Sequence, residues 1–222
     1  MRKSLKISPE EFQRLCINAE ILEQDEHGIK VFRLGNGDIL KVFRVKNIVS
    51  SARIYSYARQ FCRNAYRLQN LGVATVSIKQ LFHFENSTNT AVLYDPLPGK
   101  TLWQVFAAKE LNQPLLAKLG EFVARLHQKG IYFRSLHLGN IVLTPEGELG
   151  LIDISDMSIF PWELGCYRKL RNFRQMLRRQ QGIKTFDINE RKVFLNSYFA
   201  DSQNSSCSKF LSKKLKQALA IS

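Results

Sequence analysis

The chain has 222 residues, 45% apolar and 23% charged, which suffices for a core that folds alone and excludes a wholly disordered chain. Its 33 Lys and Arg against 19 Asp and Glu leave a net charge of +14, an excess that suits a polyanionic neighbour: nucleic acid, an anionic membrane face or a phosphorylated glycolipid. Four cysteines, Cys16, Cys62, Cys166 and Cys207, stand far apart without a C-x-x-C pair, which argues against a disulfide framework or zinc site and for a reducing compartment. The opening MRKSLKISPEEF is basic with no apolar stretch behind it, and no apolar run reaches the length of a membrane span. Neither a signal peptide nor a transmembrane helix is expected.

Ser8-Pro9-Glu10-Glu11 is a helix start, with Pro in the first turn and carboxylates at the positive end of the dipole, so a helix is predicted from Pro9 to Ala19. Three antiparallel strands follow, Glu20 to Gln24, Ile29 to Leu34 and Asp38 to Val45, separated by turns at Asp25-Glu26-His27-Gly28 and Gly35-Asn36-Gly37. A long helix is predicted from Ile48 to Leu71, with Ile54, Ala58, Phe61, Ala65 and Leu68 on its apolar face. Arg59, Arg63 and Arg67 form a second stripe, with Lys46 and Arg53 near the start; this is either a solvated or an anion-binding face. No Asp or Glu occurs between Val45 and Phe84. Strands from Val76 to Phe84 and Thr90 to Tyr94 lead into Asp95-Pro96-Leu97-Pro98-Gly99, a stiff link. The domain boundary is placed there, giving a first domain over residues 1–95 and a second over 96–222.

In the second part a short helix is predicted from Lys100 to Ala108. An amphipathic one follows from Gln113 to Lys129, with Leu115, Leu116, Leu119, Phe122, Val123 and Leu126 inward, and Gly130 ends it. Next comes the loop Phe133-Arg134-Ser135-Leu136-His137-Leu138-Gly139-Asn140, then two apolar runs joined by a Pro-Glu-Gly-Glu turn. Two paired strands therefore carry Asn140 at the entry of one and Asp153 at the exit of the other. An amide oxygen beside a carboxylate suits a hard cation such as Mg²⁺ holding nucleotide phosphates.

The spacing of these residues resembles the protein-kinase-like fold. Catalytic loops there read H-R-D-x-x-x-x-N or, in small-molecule kinases, H-G-D-L-H-P-G-N, with an Asp motif one hairpin later. Leu136, His137, Gly139 and Asn140 match the second form and Asp153 takes the place of the metal-binding Asp, whereas Ser135 stands where the family has its catalytic Asp. The phrases ILKVFR, RLQNLGV, AVLYDPLPGKTL and YFRSLHLGNIVLTPEGELGLIDI resemble the toluene-tolerance-protein-like subgroup of the lipopolysaccharide core kinase family, over about Val31 to Arg179. The resemblance implies an α+β, two-lobe fold with a small antiparallel-sheet amino-terminal lobe and a mainly helical carboxy-terminal one. It also implies ATP and Mg²⁺ as cofactors, a bacterial cytoplasmic role at the inner membrane, and phosphorylation of a core sugar. Lys41 then pairs with phosphates, the backbone of Asp95 and Leu97 meets the adenine edge, and Asn140 and Asp153 hold metal. Ser135 orients the acceptor, and the candidates for base are His137, Asp156 or a water, with His137 open also to a structural role in the loop because active relatives that retain the Asp carry it too. Three features depart from the family: the serine, the helix lacking a Glu for Lys41, and a turn in which Gly28 follows Asp25 and Glu26 in place of a glycine-rich loop. They support a pseudokinase that binds nucleotide or a partner and regulates envelope assembly.

The remainder reads as basic helix. Leu164 to Gln180 carries Arg168, Lys169, Arg171, Arg174, Arg178 and Arg179, with Leu170, Phe173 and Leu177 inward. A helix from Ile188 to Phe199 packs beneath it, a Ser- and Asn-rich connection runs from Asp201 to Ser208, and a basic segment spans Lys209 to Leu219. Phe210, Leu211, Leu215 and Leu219 of that segment lie on lipid or on the domain. An anionic membrane surface, glycolipid or lipopolysaccharide core is the expected partner; nucleic acid is not, because no aromatic stacking platform or zinc finger pattern accompanies the charge.

Overall fold

The computed structural model describes residues 4–44, 51–178, 183–200 and 206–220, with backbone alone for 51–56 and 178. It divides into two compact units, Met1–Leu97 and Pro98–Ser222.

The first unit opens with β1 (Leu5–Ile7) and α1 (Pro9–Leu15). Ser8 and Glu11 form the reciprocal cap that the sequence signals, but the helix stops short of Ala19 because Asn18 turns left-handed at φ 58°. Then come β2 (Glu20–Asp25), β3 (Gly28–Arg33), β4 (Ile39–Phe43), α2 (Ser51–Asn70), β5 (Ala74–Thr75), β6 (Ser77–Phe84) and β7 (Thr90–Asp95). Six of the strands form one sheet in the order β1-β6-β7-β4-β3-β2, antiparallel except where β1 joins β6. Sequence reading missed β1: three residues carry too little pattern to declare a strand.

The ILKVF run is apolar on both sides because both faces of the sheet are covered. On one face Phe32, Leu34, Leu40, Val42 and Ala91 form a core with Phe12 and Leu15 of α1, Phe12 meeting Phe32 at 5.9 Å and Phe84 at 4.8 Å. On the other, Phe61 of α2 packs 6.0 Å from Phe43 and 5.3 Å from Tyr94. Ala58, Phe61, Ala65 and Leu68 are buried as their spacing predicts, and Arg59 and Arg63 are exposed. Lys46 lies outside the described residues, as do the side chains of Arg53 and Ile54.

The second unit begins with β8 (Lys100–Thr101), α3 (Leu102–Ala107) and α4 (Gln113–Gln128). The helix predicted from Lys100 starts two residues later, because Lys100 and Thr101 pair with Leu143 and Val142 and Thr101 caps α3 through Gln104. Just before β8 only glycine fits: Gly99 has φ +126°, and a Cβ there would lie 2.1 Å from the Leu143 carbonyl oxygen. After α4 come β9 (Ile131–Phe133), β10 (Ile141–Leu143), β11 (Leu149–Leu151) and β12 (Met157–Ile159). β11, β10 and β8 are hydrogen-bonded neighbours in that order, and β12 pairs with β9. Helices α5 (Cys166–Arg178), α6 (Ile188–Phe199) and α7 (Ser206–Ala218) complete the chain.

α6 lies against α4 so closely that a Cβ on Gly120 would stand 2.4 Å from the Phe194 carbonyl oxygen. Leu211, Leu215 and Leu219 are buried at about 1% exposure or less, so the apolar stripe of α7 lies on the domain; Phe210 remains 46% exposed. The expectation against disulfides is corrected: α5 and α7 bring Cys166 and Cys207, 41 residues apart in sequence, to a Cα separation of 5.5 Å in a disulfide. Spacing along the chain could not reveal a pair made by helix packing. The architecture is α+β, a sheet-built first unit and a mainly helical second one. Among the described residues no helix is long and apolar enough to cross a membrane.

Candidate functional site

In the second unit the loop 133–140 is framed by two ladders. β9 leads into it with Phe133 opposite Met157, and β10 leads out with Ile141 opposite Leu151. The Ile152 N–H donates to the Asn140 carbonyl at 3.0 Å, so the hairpin places Asn140 next to the strand exit that carries Asp153. The Asn140 side-chain nitrogen donates to the Ser135 carbonyl at 2.8 Å. That bond closes the loop and fixes the amide's orientation, so the oxygen is the end it can offer a cation. Asp153 is exposed and left-handed at φ 52°, a conformation Asp tolerates better than most residues.

The other candidates of the loop are held by neighbours. His137 caps the short helical turn Leu138–Asn140, its Nδ1 accepting the Gly139 N–H at 3.2 Å. Asp156 sits 3.4 Å from the Arg134 guanidinium, and its carbonyl accepts the Arg134 N–H at 3.2 Å. Ser135 is half-buried. Arg134 thus pairs with a carboxylate.

Behind the loop lies a buried relay. Asn172 of α5 donates through Nδ2 to the Phe133 carbonyl at 2.6 Å, and its Oδ1 meets His127 Nε2 at 3.1 Å; His127 Nδ1 meets the Tyr198 hydroxyl at 2.8 Å. The amide oxygen can only accept, so His127 carries its proton on Nε2 and accepts the tyrosine proton on Nδ1. Burial pushes its pKa down to about 3, which keeps the ring neutral. Phe173 lies 5.5 Å from this ring and 4.8 Å from that of Tyr198. α4, α5 and α6 thereby brace the strand that feeds the loop. His127 and Asn172 sit on helix faces that hydrophobic periodicity marks as inward, and two polar residues on such faces were the available signal.

In the first unit Lys41 lies between Val31 and Val92 on the face covered by α2, its ammonium 5.9 Å from the ring centroids of both Phe43 and Phe61. Aromatic faces attract a cation, and α2 has no acidic residue to do so. The Asp95 carboxylate is 2.8 Å from Lys79 Nζ, which also lies 2.6 Å from buried Asp38. The Lys79 hydrogen bond lowers the pKa of Asp38. Asp95 therefore ties strand ends together through its side chain, and Leu97 closes the unit half-buried. In the β2–β3 turn Asp25 accepts the His27 N–H at 2.9 Å and pairs with Lys30 at 3.3 Å, and Arg44 donates to the Ile29 carbonyl beside Gly28.

Of the cations of α5, Arg168 stacks 4.1 Å over the Phe160 ring and Lys169 is buried against Glu163 at 2.5 Å, while Arg171 and Arg174 are exposed. The Arg178 side chain and Arg179 lie outside the described residues. Among the described residues no group of three or more His, Cys, Asp or Glu forms a metal cage. An amide oxygen, one carboxylate and bound phosphates still fit Mg²⁺, which takes few protein ligands.

No family model and no curated protein matches the chain. Among solved structures it is similar to the bifunctional kinase-methyltransferase WbdD, at 15% identity and a TM-score of 0.45. The alignment covers 83% of this chain and 46% of that one, so this chain spans less than half of that protein.

Proposed function

We propose that this chain is a kinase of the lipopolysaccharide core type, binding ATP with Mg²⁺ and transferring the terminal phosphoryl group to a core sugar hydroxyl. The observation that carries the reading is the hairpin that sets Asn140, its nitrogen committed to Ser135, beside the strand exit leading to Asp153. A hard cation on those two oxygens would screen the phosphate charge. Lys41 is assigned to the phosphates and the backbone of Asp95 and Leu97 to the base. In the transfer the bond from the terminal phosphorus to its bridging oxygen breaks, a bond to the sugar oxygen forms, ADP leaves and the hydroxyl proton passes to water. Ser135 orients the hydroxyl but cannot take up its proton, so turnover runs on the order of 10²- to 10⁴-fold below that of a chain with a carboxylate there. Exposed Arg171 and Arg174 support a place at an anionic bacterial inner-membrane face, met from the cytoplasm.

A second reading, a pseudokinase regulating envelope assembly, is favoured by the pairing of Asp156 with Arg134, which engages the carboxylate considered as an alternative base.

The test is thermal melting with and without ATP and Mg²⁺, on the native chain and on Asp153→Asn. Nucleotide at about 100 times its dissociation constant stabilises by roughly 2.7 kcal/mol, a shift of several degrees. A magnesium-dependent rise lost in Asp153→Asn supports nucleotide binding, and labelled phosphate transfer to a core sugar then separates kinase from pseudokinase. No shift at millimolar ATP overturns the kinase reading and leaves the second only in its partner-binding form.

A further inference from the structure

α6 and α7 enclose an open cleft of about 610 Å³ within the second unit, a volume usual for small-molecule sites. Its apolar part comes from Leu195 and Phe199 of α6, both buried. Its rim comes from α7, where Lys209, Lys213 and Lys216 recur at helical spacing, with Ser212 between them and Asn196 opposite. α7 has four lysines; three line the cleft and Lys214 does not, so the charge is directed to the cleft rather than spread around the helix. No described lining residue is acidic. Three ammonium groups along about 10 Å of one helix face repel one another until an anion joins them.

We infer that the α6–α7 cleft is a binding site for a phosphorylated amphiphile, with the phosphate on Lys209, Lys213 and Lys216 and the apolar portion on Leu195 and Phe199. The site belongs wholly to the second unit and does not depend on nucleotide chemistry at the loop. Its ligand is a phosphate ester on an apolar carrier, drawn either as a monomer from solution or as a headgroup from a bilayer.

Calorimetric titration of the full chain with monomeric dihexanoyl phosphatidic acid tests it, with inorganic phosphate and vesicles of neutral lipid plus phosphatidic acid as the other arms. The expected result is saturable one-to-one binding, weakened at least tenfold in Lys213→Gln/Lys216→Gln, unchanged in Lys214→Gln, and abolished in Ser212→Phe, which obstructs the cleft without altering charge. Preference for vesicles with the same variant pattern identifies the bilayer as the source; preference for the monomer identifies solution. An equal loss in Lys214→Gln reduces the effect to diffuse surface charge and overturns the site. Inorganic phosphate binding as tightly as the lipid overturns the apolar half, and failure of all three probes overturns the whole.

Discussion

Neutralising the pH response of His127 tests the brace behind the loop. The ring is fully buried, and its folded-state pKa of about 3 lies below the ordinary 6.5. The unfolded chain takes up the proton first, so this contribution to stability is complete above pH 6.5 and is lost as pH falls towards 3. The loss is about 1.4 kcal/mol per pH unit inside that window, hence about 2 kcal/mol between pH 7 and pH 5 and roughly 5 kcal/mol in all. His127→Gln keeps a donor for Asn172 and an acceptor for Tyr198 but cannot titrate. Urea unfolding at the two pH values, followed by tryptophan fluorescence, isolates the effect, because Trp103 and Trp162 are the chain's 2 tryptophans and both belong to the second unit. The native protein should lose about 2 kcal/mol more than the variant on acidification. Equal losses in the two proteins would refute the neutral, proton-accepting histidine and the relay built on it.

Two further outcomes follow from packing. Gly120→Ala should destabilise the second unit by about 1–3 kcal/mol, since the added methyl meets the α6 backbone; the better helix propensity of alanine, worth about 1 kcal/mol, would win only if the helices can part. A neutral or stabilised variant in urea unfolding rules out the close α4–α6 contact. Reduction of Cys166–Cys207 should cost roughly 4 kcal/mol on the loop-entropy model, lowering the melting temperature of the native chain, whereas Cys207→Ser should already melt low and ignore reductant. A native melting curve unmoved by reductant would exclude the bond.

The hairpin bearing Asn140 and Asp153, the capped start of α1 and the buried stripe of α2 were legible because each rests on neighbouring residues: turn chemistry, a capping box, helical periodicity. The sequence also determined that position 135 carries a hydroxyl and no carboxylate, and that α2 has no acidic residue. What it could not settle was which charges are committed elsewhere. The Asp156 carboxylate pairs with Arg134, the Lys169 ammonium with Glu163 and the Asp95 carboxylate with Lys79, and only packing reveals those partners. The relay spans 45 residues from His127 to Asn172 and 71 from His127 to Tyr198, and the disulfide spans 41. Bonds over such separations form only when whole helices dock. Local pattern thus set the loop and the placement of Asn140 and Asp153, while tertiary structure decided what holds the loop in place, which basic side chains remain exposed, and where α7 turns its lysines.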